Sequence, residues 1–235
     1  MSNSNVIGRL RANAINDSLI QRTIAFVADN LEFWRDDPTR PRVTLEEELN
    51  AQLANFLGAK ATHEFPMVQF QHEQRQAGQR RVDLSAKPTS PIIICGTYYS
   101  IYKPFTVIEG KRLPAPDAAR EKEYVSGCLK KSGGIQRFKL GLHGADHEEV
   151  MMIGYIQADS PMEWHNRINQ WICDLTFISE DGCDWNVREV LSICRKGITG
   201  LFLELTSTHS RNGHAISQIL KITHLWVVID CSIQQ

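Results

Sequence analysis

Residues 105–113 read FTVIEGKRL, an apolar run that contains a glutamate, a glycine and a lysine. The run predicts a strand, and successive side chains of a strand point to opposite faces. Glu109 and Lys111 therefore share one face with Phe105, Val107 and Leu113. Taken alone, the two opposite charges fit an ion pair on an edge strand, where charged side chains are common.

The segment before this region that carries the strongest helix signal is TLEEELNAQLANFLG, residues 44–58. Thr44 and Glu47 have the spacing of a capping box, and Gly58 predicts the end of the helix. Its leucines form one stripe, and Glu46 falls inside that stripe. Glu46 is thus expected to face the core side, although solvation at the edge of the stripe is an equal alternative.

Two strands are predicted between this helix and residue 105, HEFPMVQFQ (63–71) and RRVDLSA (80–86). Alternation in RRVDLSA separates Asp83 from its apolar neighbours. The long interval from Asp83 to Glu109 must hold an inserted loop or an extra hairpin.

The segments after the opening strand continue the alternation of helices and strands. We predict a helix over 117–131, strands over 150–158, 201–208 and 224–230, and a helix over 160–175. The fold class is therefore α/β, with a mixed sheet flanked by helices and additional C-terminal strands and helices.

The chain length favours one domain, residues 1–235. Within it we distinguish an N-terminal helical extension, 1–43, with a helix over 18–33, a core over 44–158, and a C-terminal elaboration over 159–235.

The acidic residues fall where this scaffold can bring them together. Antiparallel neighbouring strands would place Asp83 beside Glu109, and two adjacent carboxylates need a proton or a cation between them. Oxygen ligands favour Mg²⁺ or Mn²⁺ over zinc. Lys111, on the same face as Glu109, would act on a metal-bound water or on developing negative charge.

A glutamate-bearing helix, then an aspartate, then E-x-K at the end of an apolar strand, resembles the PD-(D/E)XK nuclease superfamily, whose fold is that of the restriction endonucleases. The pieces are TLEEELNAQL, RRVDLSA, FTVIEGKRL and REKEYVSG, with Val82 in place of the motif's proline. The resemblance implies that Asp83, Glu109 and the Gly110 carbonyl hold the metal, that Lys111 positions the attacking water, and that Glu46 is the additional acid.

The resemblance implies a metal-dependent nuclease that hydrolyses phosphodiester bonds, with DNA as the expected substrate and an endonuclease as the expected type. An effector in a bacterial or phage-defence system, with specificity supplied by a partner subunit or a homo-oligomer, is expected by analogy alone. The rivals are a non-catalytic nucleic-acid-binding or assembly subunit with the same fold, and a nuclease or phosphatase for RNA or small phosphoesters.

The net charge of -1, from 26 basic and 27 acidic residues, gives no global signal of nucleic-acid binding. Phosphate contacts are therefore expected from a local basic cluster around the site. Its members are Arg112, Arg120, Lys122, Lys130, Lys131, Arg137 and Lys139.

Other polar residues carry weaker signals. His209 and Arg211, with His214 beside them, follow an apolar strand and could contact phosphate or lie in a solvated loop. HGADHEE, residues 143–149, is interpreted as a polar loop, and Glu64 is a substitute candidate for Glu46.

No apolar run approaches the roughly 18 residues that span a bilayer, and the polar opening MSNSN has no signal-peptide pattern. A cytoplasmic protein that does not bind membranes is expected. The six cysteines form no C-x-x-C pair, so we expect reduced and mostly buried thiols.

Overall fold

The computed structural model describes residues 4–76, 80–177, 181–211 and 215–229, with side chains from residue 19 onward. His214 and Cys231 lie outside these residues. None of the described helices is both long enough and apolar enough to cross a membrane.

The described helices and strands alternate along the chain. The α-helices are α1 (Ser4–Asp36), α2 (Glu46–Glu64), α3 (Gly134–Lys139) and α4 (Pro161–Leu175). The strands are β1 (Val68–Arg75), β2 (Arg81–Pro88), β3 (Ile92–Ile94), β4 (Thr97–Tyr99), β5 (Thr106–Leu113), β6 (Glu149–Ile156), β7 (Ser192–Lys196), β8 (Phe202–Ser210) and β9 (Ile219–Val228). Short 3-10 helices cover Ala118–Tyr124, Cys128–Lys130 and Val187–Glu189.

Seven of the described strands form one mixed sheet in the order β1-β2-β5-β6-β9-β8-β7. Strands β1, β2 and β5 form an antiparallel meander, β6 and β9 run parallel to β5, and β8 and β7 extend the sheet in antiparallel fashion. Because β9 pairs directly with β6, the C-terminal strands continue the sheet that contains residues 105–113. The predicted mixed α/β class is confirmed.

Helices cover both faces of the sheet. Apolar side chains of α1 and α2 pack on one face with Met151 and Ile153 of β6, while α3 and α4 pack on the other face with Val150 and Met152. A strand buried on both faces has apolar residues at consecutive positions, which is why VMMI carries no alternation.

The inserted segment between β2 and β5 contains a separate hairpin, in which β3 pairs with β4. Of the two expected alternatives, an inserted loop or an extra hairpin, the structure contains the hairpin. It occupies the interval at the end of the sheet where β2 finishes and β5 begins.

Several local predictions are wrong. The chain over 117–131 forms two 3-10 helices instead of one α-helix, α2 continues past Gly58, and β7 was not predicted. Helix α2 begins at Glu46 with Leu45 as its N-cap and no side-chain cap, so the capping box of Thr44 and Glu47 is not formed.

The cysteines also differ from expectation. The five that the structure describes form no disulfide, and Cys95, Cys128 and Cys194 are exposed whereas only Cys183 is buried. Their spacing in sequence could show the absence of a disulfide framework but not the burial of each residue.

Candidate functional site

The candidate site lies where β5 separates from β2. Their pairing ends at Leu84 and Ile108, whereas β5 remains paired with β6 as far as Leu113. A gap therefore opens beside the second half of β5, at the charged part of FTVIEGKRL. Asp83 is the next residue of β2 beyond the last pair.

Two carboxylates satisfy the backbone of β5 along this gap. The Gly110 N–H donates to Asp83 Oδ2 at 2.7 Å, and the Arg112 N–H donates to Glu46 Oε2 at 3.1 Å. In an extended strand the N–H and C=O of one residue point to the same side. The Gly110 carbonyl accordingly faces the gap that contains Asp83 and Glu46.

Lys111 forms ion pairs with two carboxylates, Glu46 of α2 and Glu109 of β5. Its Nζ lies 2.8 Å from Glu46 Oε1 and 3.3 Å from Glu109 Oε1. Strand β5 lies inside the sheet order, between β2 and β6, and Glu109 and Lys111 are only 1% and 8% exposed. The alternative of an edge-strand ion pair is therefore wrong.

Two further contacts to Glu109 were not predicted from the sequence. Arg137 Nη1 donates to Glu109 Oε1 at 2.8 Å, and His143 Nδ1 lies 3.0 Å from Glu109 Oε2. Arg137 was assigned to nucleic acid and His143 to a polar loop. The sequence signal for these contacts was the chain connection. Because β5 and β6 are parallel, the segment between them must cross over the sheet, and this segment includes GIQRFKLGLHG, residues 134–144.

The carboxyls of Asp83 and Glu109 differ in pKa. Burial alone would raise the pKa of Glu109, but Lys111, His143 and Arg137 outweigh it and hold this pKa below its ordinary value. Burial and the charge of Glu109 raise the pKa of Asp83 to about 8. A further cation entering the gap would therefore favour the ionised form of Asp83.

The oxygen atoms that line the gap are suitable ligands for a hard divalent cation, provided that one contact to Glu109 is given up. Asp83 accepts a single hydrogen bond from the described residues and the Gly110 carbonyl faces the same space. Both oxygens of Glu109 are already engaged, and no group of three His, Cys, Asp or Glu side chains within the described ranges is gathered to hold a metal as it stands. A cation would have to replace one of the contacts to Glu109.

Glycine at position 110 is required by α2. A Cβ atom there would lie 2.0 Å from Asn50 Oδ1, and Asn50 is buried and accepts a hydrogen bond from the Tyr155 hydroxyl at 2.8 Å. Asn50 stands one turn after Glu46 on α2. The glycine thus allows the helix that carries Glu46 to approach β5.

We expect Gly110→Ala to destabilise the fold by about 1–3 kcal/mol through overpacking. Asn50→Ala combined with Gly110→Ala should recover part of this loss, because the clashing amide is removed. Urea unfolding of the two single variants and the double variant measures the coupling. Additive losses would show that Asn50 does not set the requirement for glycine.

The expected nucleic-acid contacts divide into two groups. Arg120, Lys122, Lys130 and Lys131 are exposed on the segment between β5 and α3, and Arg112 and Arg137 are partly exposed. Arg120 forms an ion pair with Glu123, whose other carboxylate oxygen accepts a hydrogen bond from Ser132. Lys122, Lys130 and Lys131 form no ion pair among the described residues. They are free to bind phosphate.

Lys139, His209 and Arg211 are instead buried, at 2%, 0% and 5% exposure. They present no surface to a phosphate, and their assignment to nucleic acid is corrected. Arg211 donates to the carbonyls of His147 and Gly144 at 2.9 and 3.0 Å, and so fastens the loop that carries His143.

Glu64 cannot substitute for Glu46. It lies at the opposite end of α2, about 27 Å away at 1.5 Å per residue, and is paired with Lys60 at 2.7 Å. His147 is buried and Asp146 is exposed, and neither belongs to a metal-binding group within the described part of the chain.

His209 belongs to a buried chain of hydrogen bonds. The Trp226 indole donates to the Tyr124 hydroxyl, which lies 2.8 Å from His224 Nδ1. Ser207 Oγ lies 2.7 Å from Nε2 of both His224 and His209. A serine has one hydroxyl proton, so one histidine must donate to Ser207 and the other must accept.

The donor and acceptor roles in this series of hydrogen bonds follow from its first member, Trp226, which can only donate. Tyr124 already accepts from Trp226, so its own proton pairs only if it donates to His224 Nδ1. His224 then donates from Nε2 to Ser207, and Ser207 donates to His209 Nε2. The remaining proton of His209 is on Nδ1, which faces Glu189 Oε2 at 3.3 Å. Both histidines are neutral.

This arrangement predicts a loss of stability in mild acid. Burial lowers the pKa of both His209 and His224, so the unfolded chain takes up protons below about pH 6.5 that the folded chain cannot bind. Stability should fall as the pH drops below this value, by up to about 1.4 kcal/mol per pH unit for each histidine.

Urea unfolding between pH 7.5 and 5 measures the slope. His224→Gln should make the slope shallower, and the same change at the exposed His63 should leave it unaltered. Equal slopes in wild type and His224→Gln would contradict the assignment of neutral histidines.

No protein-family model, curated protein or solved structure matches the chain. The fold defines the class of protein, a mixed α/β protein with a helix-flanked sheet. Its function is inferred from the chemistry of the gap beside β5.

Proposed function

We propose that the protein is a metal-dependent nuclease with a restriction-endonuclease-like core formed by α2, β1, β2, β5, α3 and β6. The observation that carries the proposal is the convergence of Asp83, Glu109, Lys111 and Glu46 beside the point where β5 leaves β2. The order of elements supports it, because the PD-(D/E)XK resemblance implies a glutamate-bearing helix, then an aspartate, then E-x-K on an apolar strand, as in α2, β2 and β5.

Asp83, Glu109 and the Gly110 carbonyl would hold Mg²⁺ or Mn²⁺, since hard cations take oxygen ligands. The bound cation would neutralise charge on the scissile phosphate and favour a hydroxide nucleophile. Lys111 orients the attacking water and offsets the developing negative charge. Glu46 holds the Lys111 ammonium in place at 2.8 Å.

The substrate expected is DNA, cut internally. Lys122, Lys130 and Lys131 supply phosphate contacts that do not depend on sequence, together with Arg112 and Arg120. Specificity would come from a partner subunit or a homo-oligomer, and a role as an effector of bacterial or phage defence rests on analogy.

One observation favours the rival, a non-catalytic subunit that binds nucleic acid or assembles with other proteins. Glu109 is saturated by three cationic or polar partners, Lys111, Arg137 and His143, which is a self-sufficient structural cluster. The two functions differ in whether a divalent cation can enter this cluster.

The test is incubation of the protein with plasmid DNA, single-stranded DNA and RNA, each with Mg²⁺, Mn²⁺ or EDTA. We expect cleavage with either cation, none with EDTA, and none by Asp83→Asn, which keeps the shape of the side chain but loses a charged ligand. Binding of nucleic acid without cleavage in every metal would favour the non-catalytic subunit. Cleavage of RNA alone would change the substrate class.

A further inference from the structure

Arg137 and His143, which both contact Glu109, differ in how tightly their own side chains are held. His143 is 2% exposed, its ring lies edge-on to Phe138, and Arg211 fastens the residue that follows it. Arg137 is 29% exposed, and its side chain makes one hydrogen bond to the described residues, to Glu109 Oε1. Arg137 can leave this contact, whereas His143 is fixed.

The contact of Arg137 uses an oxygen that the proposed metal needs. A divalent cation bound to Glu109 Oε1 would repel the guanidinium of Arg137, whose Nη1 lies 2.8 Å from the same oxygen. Without either cation, Glu109 would be a buried carboxylate that has lost part of its neutralising charge, which is costly. Lys111 and His143 stay beside Glu109 in either state, so Arg137 or a metal supplies the remaining cationic contact at Oε1.

We propose that Arg137 is an exchangeable cation of the active site, which occupies Glu109 when the metal is absent and turns to the substrate phosphate when the metal takes its place. His143 remains on the second oxygen and keeps the orientation of Glu109. This inference rests on the proposed nuclease function. A guanidinium released beside a metal-bound phosphate is suited to the task, because its planar donors match two phosphate oxygens.

The first measurement is Mn²⁺ affinity by calorimetry on the protein without nucleic acid. Arg137→Gln should bind Mn²⁺ at least about tenfold more tightly than wild type, a difference of about 1.4 kcal/mol, because the competitor is removed. Arg112→Gln is the matched control. It also removes one positive charge near the gap, but its guanidinium donates to the Thr44 carbonyl and not to Glu109. Its Mn²⁺ affinity should change much less.

The second measurement is affinity for a short DNA duplex in a Lys111→Met background, which prevents cleavage. Adding Arg137→Gln should weaken binding about tenfold with Mn²⁺ and leave it unchanged with EDTA, because Arg137 contacts phosphate only after the exchange. Arg137→Lys keeps the charge and guards against a folding defect. It should keep the Mn²⁺ affinity of wild type and lose DNA affinity only with Mn²⁺.

The outcomes separate this inference from the proposed function. Equal Mn²⁺ affinity of wild type and Arg137→Gln, with DNA cleavage intact in wild type, overturns the exchange and leaves the nuclease standing. Equal loss of DNA affinity with Mn²⁺ and with EDTA also overturns it, since Arg137 would then be an ordinary phosphate contact. Absence of Mn²⁺ binding in all variants, together with absence of cleavage by wild type, overturns both.

Discussion

Lys111→Met is expected to lower the rate of metal-dependent DNA cleavage by about two to three orders of magnitude, the cost of removing one preorganised charge from a reacting centre. The ammonium lies between Glu46 and Glu109, and these carboxylates raise its pKa although burial opposes this. It is therefore charged at every pH of interest. Its loss removes the partner of the developing negative charge.

The metal affinity of Lys111→Met should not fall with its cleavage rate. Removing a cation 3.3 Å from Glu109 leaves more negative charge for Mg²⁺, so its affinity should be unchanged or higher. Asp83→Asn should instead lose metal affinity and cleavage together, because a ligand is removed. Cleavage of labelled DNA and metal titration by calorimetry, performed on the same preparations, distinguish the two patterns.

Lys122→Met is the matched control, since Lys122 is exposed and lies outside the ion pairs of the gap. It should weaken DNA binding modestly and leave the cleavage rate of bound DNA near that of wild type. Full activity of Lys111→Met with Mg²⁺ would return the lysine to a purely structural role.

The sequence was sufficient to predict the central part of the site, because strand alternation is a short-range rule. It placed Glu109 and Lys111 on one face of β5, and the order of elements placed Asp83 on the adjacent strand. The stripe of α2 left the orientation of Glu46 open between the core side and solvent, and the structure places it against Lys111. The catalytic roles of these residues stay predictions.

What the sequence could not predict depends on contacts distant along the chain. Thr44 fails as a cap because its carbonyl binds Arg112 and Gln157, and α2 starts only after it. The expected helix over 117–131 is broken because the Tyr124 hydroxyl is held in the core by Trp226. Local propensity loses to tertiary packing in each case.

The solvent exposure of individual side chains was the property hardest to predict from the sequence. A lysine in a basic cluster is by default exposed, and the pattern around Lys139 gives no sign that Glu189, 50 residues later, encloses it. The contact of His143 with Glu109 was missed for the same reason, because the loop that carries His143 has no periodicity that shows which side chains point inward.

Glu189→Gln should therefore produce the largest loss of stability among single substitutions outside the gap. Both oxygens of Glu189 contact Lys139 Nζ at 2.7 Å, and the Ser210 N–H donates to it at 3.0 Å. Burial would raise the pKa of Glu189, but His209 and Lys139 outweigh it and lower this pKa to about 2. Removing the carboxylate leaves a buried ammonium without its partner, which costs about 3–5 kcal/mol.

Urea unfolding at pH 7 measures this loss, and the surface pair of Lys60 and Glu64 supplies the control. Glu64→Gln should cost less than about 1 kcal/mol, because the pair is exposed to water. The double variant Lys139→Met/Glu189→Met should recover much of the stability lost in Glu189→Gln, since two apolar groups can replace a buried ion pair. The same double variant should bind DNA as wild type does. A selective loss of DNA affinity in a stably folded double variant would show that Lys139 reaches phosphate after all, and would require the segment that covers it to open.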